Sequence, residues 1–146
     1  MEILTTRFGP IQLNAQERVE FPRGLIGVPQ LRRFVLLNDP QVPHLRWLQS
    51  TRDPAWAFAL VEPRTIAPTY QVRATPEQLQ ALQIADRRDV TVYVTLNRTA
   101  QSFVANLQAP ILVNRRRSLG MQLVLSDAQY PVRQEVNFPA ALRKSA

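Results

Sequence analysis

The sequence predicts an all-β chain: a compact, antiparallel, β-barrel-like single domain with one short helix near residues 76–83. Three observations predict it. Short alternating segments recur every 8–12 residues between turn signals, the spacing of sandwiches and barrels. Only one stretch, Thr75-Pro76-Glu77-Gln78, has a good helix start. Thr75 can cap, Pro76 suits the first turn and Gln78 can close a capping box. The central run from Phe103 to Val113 holds no charged residue. Its apolar side chains alternate with the amides Asn106 and Gln108, and Asn114 follows. Buried amides need hydrogen-bond partners, so this run reads as the centre of the fold. Pro110 cannot donate to a ladder, so the run should be two extended pieces with a bend.

Composition sets limits first. At 146 residues the chain is most simply one domain, and 45% hydrophobic residues suffice for a core. No cysteine is present, which excludes a disulfide framework, thiol catalysis and cysteine-bound zinc. No basic leader precedes an apolar run and no run approaches the ~20 residues of a membrane span, so a cytoplasmic protein is expected. The net charge is +7, and Lys144 is the only lysine. Arginine could serve phosphate or carboxylate binding. The arginines are scattered among acids, so a solvated face is the preferred reading.

Taken in order, Glu2 to Phe8 alternates as a strand. Gly9-Pro10 turns the chain, and Ile11-Gln12-Leu13 begins the return. Val19-Glu20-Phe21 is extended. Gly24 and Gly27, flanking Leu25-Ile26, suggest positive φ or a close approach. Pro29 to Phe34 reads as one helical turn, and Phe34 to Leu37 as a strand buried on both faces. Leu45 to Ser50 and Trp56 to Val61 form a hairpin around Asp53-Pro54. In the second strand, Trp56, Phe58 and Leu60 alternate with Ala57 and Ala59. Bulk lies on one face, and the other is left open to a second layer. Glu62-Pro63 breaks that strand, and Tyr70 to Arg73 reads as a short one. Leu79 and Leu82 share a helical face. Asp89 to Leu96 is the clearest strand, with Val90, Val92, Val94 and Leu96 opposite Thr91, Tyr93 and Thr95. Arg115-Arg116-Arg117 is a basic turn, Met121 to Leu125 a strand, and 138–146 a short, frayed tail.

Chemistry is sparse. His44 is the only histidine, and a serine or cysteine nucleophile ordinarily needs one as base. The acids Asp39, Asp53, Asp86, Asp89 and Asp127 sit where turns want aspartate. No enzyme, cofactor or metal site is expected, which leaves binding. One candidate ligand is single-stranded nucleic acid, supported by the charge and the Arg115 turn. The aromatics, however, sit among apolar neighbours rather than among arginines. Both tryptophans read as core, Trp47 more firmly than Trp56.

Ala105-Asn106-Leu107 with Ala109-Pro110-Ile111 and Asn114 resembles the signature of the flagellar assembly factor FliW family. Thr6 to Gly9, Phe21 to Gly27, Trp47-Leu48-Gln49-Ser50 and Tyr130 to Arg133 are similar to its other landmarks, in order. The likeness runs from Thr6 to Arg133 and implies a mostly antiparallel β-barrel-like domain over residues 1–137. Val28 stands where the family has a larger residue, and Val104 where it has threonine. The resemblance implies a chaperone that binds flagellin and, exclusively of it, the translational repressor CsrA, relieving repression of flagellin synthesis. No membrane and no direct nucleic-acid contact are expected from the hydropathy and from the placement of the aromatics, and a monomer is expected. Family members are often acidic, unlike this chain. Candidate partner-binding residues are Trp56, Arg115, Arg116 and Arg117. Trp47, Gln49, Asn106, Pro110 and Asn114 are expected to hold the fold.

Overall fold

The computed structural model describes residues 2–12, 17–126 and 129–137. Its strands, in chain order, are β1 (Glu2–Thr5), β2 (Gly9–Gln12), β3 (Arg18–Glu20), β4 (Arg33–Asn38), β5 (Arg46–Ser50) and β6 (Ala57–Val61). Helix α1 (Pro76–Ala81) follows, then β7 (Val90–Arg98), β8 (Phe103–Ala105), β9 (Ile111–Asn114), β10 (Leu119–Gln122) and β11 (Gln134–Val136). β1 and β2 form a separate hairpin. Seven strands close into a barrel in the order β7-β6-β5-β4-β3-β10-β9, with β9 returning to β7. The predicted all-β, barrel-like class with a single short helix is what the molecule shows. Every barrel pairing is antiparallel except the seam of β10 with β3, where Leu119 faces Glu20 and the Glu20 N–H donates to the Ser118 carbonyl at 2.9 Å.

β7 is the strand that makes closure possible. On one side its first half, Val90–Tyr93, pairs with β9, and its last residues, Leu96–Arg98, pair with β8. β8 and β9 are therefore one partner strand interrupted by a loop, residues 106–110. The interruption falls at the bend expected from Pro110. Asn106 still donates its N–H to Thr95 O at 3.1 Å, and its Oδ1 accepts the Gln108 N–H at 3.1 Å. The segment that follows takes up carbonyls of this loop. Gln108 O accepts from Leu125 N–H (2.7 Å) and Pro110 O from Leu123 N–H (2.9 Å). That diversion explains a correction. The expected strand Met121 to Leu125 lies earlier, at Leu119–Gln122, because 123–125 are taken by the loop.

Both faces of the sheet are buried. Phe21, Phe34, Leu36, Leu48, Leu60 and Tyr93 fill the barrel, where the Phe21 and Phe34 rings meet edge to face at 5.5 Å. Outside it, Trp47, Ala59, Val94, Leu96 and Phe103 form a second cluster, covered in part by Phe8 and Tyr130. Phe58 and Leu60 face inward while Ala57 and Ala59 face the outer layer, the division the alternation predicts. Likewise Tyr93 points in and Val94 and Leu96 point out.

Other expectations are corrected. Pro29 to Phe34 is not a helical turn. The chain makes two tight turns instead, Val28 N–H to Leu25 O and Leu31 N–H to Val28 O, both 3.0 Å. β4 begins immediately afterwards and claims Arg33 and Phe34. Tyr70 to Arg73 is not a strand, for no strand lies beside it; the Gln71 N–H donates to the Tyr130 hydroxyl at 3.0 Å. α1 ends at Ala81 rather than 83, because Gln83 is left-handed (φ 56°) and Ile84 N–H closes back on Leu79 O. Its start has both capping-box bonds: Gln78 N–H to Thr75 Oγ1 (3.1 Å) and Thr75 N–H to Gln78 Oε1 (2.8 Å). β11 follows the Tyr130 landmark as a strand the sequence pattern did not mark. Leu13, Asp127 and the tail 138–146 lie outside the described residues.

The buried Tyr70 hydroxyl donates to Leu107 O at 2.7 Å and so ties the 106–110 loop to the segment before α1. Burial, and secondarily the neighbouring Tyr130, pushes its pKa well up, so it stays a donor at all ordinary pH. Tyr70→Phe should cost about 1–2 kcal/mol in a urea melt, because it leaves a buried carbonyl unpaired.

Candidate protein-binding surface

Trp56 sits on the β5–β6 hairpin loop. The residue is 41% exposed, and its indole leans on Phe58, with ring centroids 5.8 Å apart. The loop beneath is held from inside the fold. Gln49 is fully buried, and its Nε2 donates to the carbonyls of Ser50 (3.0 Å), Pro54 (3.2 Å) and Trp56 (3.1 Å). Its Oε1 has no hydrogen-bond partner among the described residues. The Ser50 hydroxyl accepts the N–H groups of Arg52 and Asp53. The hairpin is thus a rigid mount for an exposed aromatic.

Arg115, Arg116 and Arg117 form the exposed β9–β10 loop, and Arg116 pairs with Asp89 at 3.3 Å. β9 is antiparallel to β7, whereas β5, two strands away through β6, runs with it. The two hairpin loops therefore leave opposite ends of the barrel. Trp56 and the three arginines do not make one surface.

The remaining sequence-predicted residues are spread through the framework. Asn114, at the end of β9, donates from Nδ2 to Leu82 O (2.8 Å) and Gln83 O (3.2 Å). Its Oδ1 accepts the Arg117 N–H at 3.3 Å. Asn106 and Pro110 bound the loop described above. Trp47 is buried in the outer cluster. Its Nε1–H donates to Asp39 Oδ2 at 3.0 Å, and the Arg7 guanidinium lies 4.0 Å from its ring centroid. Asp39 Oδ1 also accepts the N–H groups of Gln41 and Val42, each at 2.9 Å. Burial raises the Asp39 pKa, but the Trp47 and backbone donors, helped by Arg7, outweigh it and hold the carboxyl below its ordinary value. The unfolded chain then binds the proton more readily. The contribution is full above the ordinary aspartate pKa, near 4, and is lost as pH falls through the lower folded value. Stability of the wild type should drop more steeply below about pH 4 than that of Asp39→Asn, measured by urea melts across pH.

One feature escaped the sequence pattern altogether. Where β6 ends and Pro63–Thr65 turn away as a short 3₁₀ segment, a groove of about 980 Å³ opens along β7. Val90, Val92, Leu112, Val72 and Leu79 contribute apolar walls, and Arg64, Arg73 and Arg87 stand at its rim. Arg64 Nε also donates to Tyr70 O at 3.2 Å. The available signal was the Glu62-Pro63 break facing a β7 that runs on for several residues more.

Among the described residues no helix is long and apolar enough to cross a membrane, and no group of three His, Cys, Asp or Glu could hold a metal ion. His44 is exposed on the β4–β5 loop, with φ 70°.

Residues 2–136 match the family model described as FliW protein. The chain is similar to the flagellar assembly factor FliW of Geobacillus kaustophilus, 37% identical over 147 residues, covering 99% of this chain and all of the relative. It is 36% identical over 138 residues to the flagellar assembly factor FliW of Bdellovibrio bacteriovorus, covering 93% of this chain and 79% of the relative. A crystal structure of the flagellar assembly factor FliW superposes with a TM-score of 0.87 at 32% identity, over 96% of this chain and 99% of that one. With matches that span both the landmarks and the closed barrel, this chain belongs to the FliW family.

Proposed function

We propose that this chain is a non-enzymatic, cytoplasmic flagellar assembly factor that binds flagellin as a chaperone. In a mutually exclusive exchange it binds the translational repressor CsrA and relieves repression of flagellin synthesis. The observation that supports this most is the near full-length likeness to relatives named flagellar assembly factors. Competition of two partners for one protein is mass action: whichever is in excess over its Kd holds the chain. If capture of CsrA weakens its hold on messenger from a separate surface, messenger must weaken the capture of CsrA equally.

The test is a pair of gel-filtration mixtures of the purified chain, one with flagellin and one with CsrA, followed by flagellin added to the CsrA complex. A shifted peak in each mixture and release of CsrA on adding flagellin are expected. Two unshifted mixtures would reject the reading. Single-stranded nucleic acid fits less well, because it calls for rings set among arginines, and Trp56 and the Arg115 loop emerge at opposite barrel ends. In filter binding across salt, that alternative predicts a steep loss of affinity, whereas a flat signal is expected.

A further inference from the structure

The groove along β7 borders an unfinished sheet. Backbone groups of an antiparallel strand alternate between its two neighbours. Thr95 O is taken on the β8 side by Asn106, so Val94 and Val92 direct their N–H and C=O to the β6 side. Val94 meets Val61 there. At Val92 the matching position is Pro63, which has no N–H and already belongs to the 3₁₀ turn. The ladder stops, and the polar backbone of Val92 opens into the groove between half-buried valines. At Val90, the next residue on that side, the N–H closes on Arg87 O. An exposed strand edge of this kind is a template for another chain.

The rim adds a sign. Arg64, Arg73 and Arg87 are exposed, and none forms an ion pair among the described residues; the pairs present are Arg33–Glu20, Arg88–Asp86 and Arg116–Asp89. Glu62 is the one acid on the groove wall. The chain's own residues 138–146 carry Arg143 and Lys144 and no acid, a poor match in charge. We infer that this groove receives an extended segment of a partner protein, alternating apolar and acidic residues, whose backbone pairs with β7 at Val92. Its apolar side chains would lie on Val90, Val92 and Leu112, and its carboxylates on the three arginines. The inference goes beyond the partner-switching reading and depends on it only in that the partner is a protein.

The experiment titrates the ¹⁵N-labelled chain with a short synthetic peptide alternating valine and glutamate, with its lysine counterpart, and with a thymidine oligonucleotide. The glutamate peptide should shift the Val92 amide resonance. The double variant Arg73→Glu/Arg87→Glu, with an unchanged melting temperature, should bind it at least about tenfold more weakly. Equal binding of the lysine peptide, binding that leaves Val92 unmoved, binding of the oligonucleotide alone, or no binding would each overturn the inference. Flagellin and CsrA are then offered to the wild type. If it binds neither yet takes the peptide at Val92, the partner reading fails and the groove stands. The reverse pattern rejects the groove and leaves the partner reading.

Discussion

Gly24→Ala is expected to destabilise the chain by about 2–5 kcal/mol. Gly24 has φ +68°, and an added Cβ would overlap the carbonyl of Pro29, which is backbone and cannot rotate away. The left-handed conformation alone costs an L-residue roughly 1–2 kcal/mol. Overpacking against backbone adds a further 1–3, or roughly that. Its N–H also closes the turn on Phe21 O at 2.8 Å, so a shift to escape the clash would disturb Phe21, a fully buried ring inside the barrel. In a thermal melt the loss should be on the order of 10 °C. Gly27→Ala is the control. It has φ +87° but open space around its Cβ, so only the conformational part applies and a loss of about 1–2 kcal/mol is expected. Equal losses at the two sites would show that the close approach to Pro29 carries no weight.

Asn114→Ala should cost about 2–4 kcal/mol, because one side chain satisfies groups from two distant elements. Its amide holds the carbonyls of Leu82 and Gln83 just past the end of α1, and its oxygen holds the N–H of Arg117 in the basic loop. Truncation strands those groups, and Asn114 itself is only 1% exposed, so water cannot easily replace it. Leu82, buried with Leu112 and Leu123, would lose its anchor as well. Asn114→Asp keeps the acceptor and loses both donors, placing a negative charge against two carbonyl oxygens. It should be worse than alanine near neutral pH and should recover toward it as the carboxyl is protonated on acidification. Urea melts of both variants at neutral and acidic pH make the comparison. Leu79 of α1 lines the groove, so loosening α1 should also change peptide binding there.

Both sites were visible as residues before they were visible as contacts. The two glycines around Leu25-Ile26 announced positive φ, because few other residues adopt it without cost. They did not announce Pro29 as the obstacle. Asn114 stood out as an amide in a charge-free run and therefore as a group in need of partners. That its partners lie past the end of α1, some thirty residues earlier in the chain, depends on a long-range docking that no local pattern encodes. Two of the misread segments share this cause. Tyr70 to Arg73 has strand-like residues and no strand beside it. Met121 to Leu125 alternates, yet its second half is hydrogen-bonded to the 106–110 loop and not to a ladder.

The amino-acid order by itself determined what depends on near neighbours: the alternating strands, the capped turn of helix at Thr75, the bend at Pro110, and the alternation of bulky and small residues that sorts β6 into an inner and an outer face. Only the tertiary structure decided how the strands meet. It joined β10 to β3 in parallel through Leu119 and Glu20, let β7 serve β9 and β8 in turn, sent Trp56 and the Arg115 loop to opposite ends, and left Val92 facing an arginine-rimmed groove. The reason is physical. An alternating strand will pair with many others, and the choice among them is made by which set of apolar faces can all be buried at once.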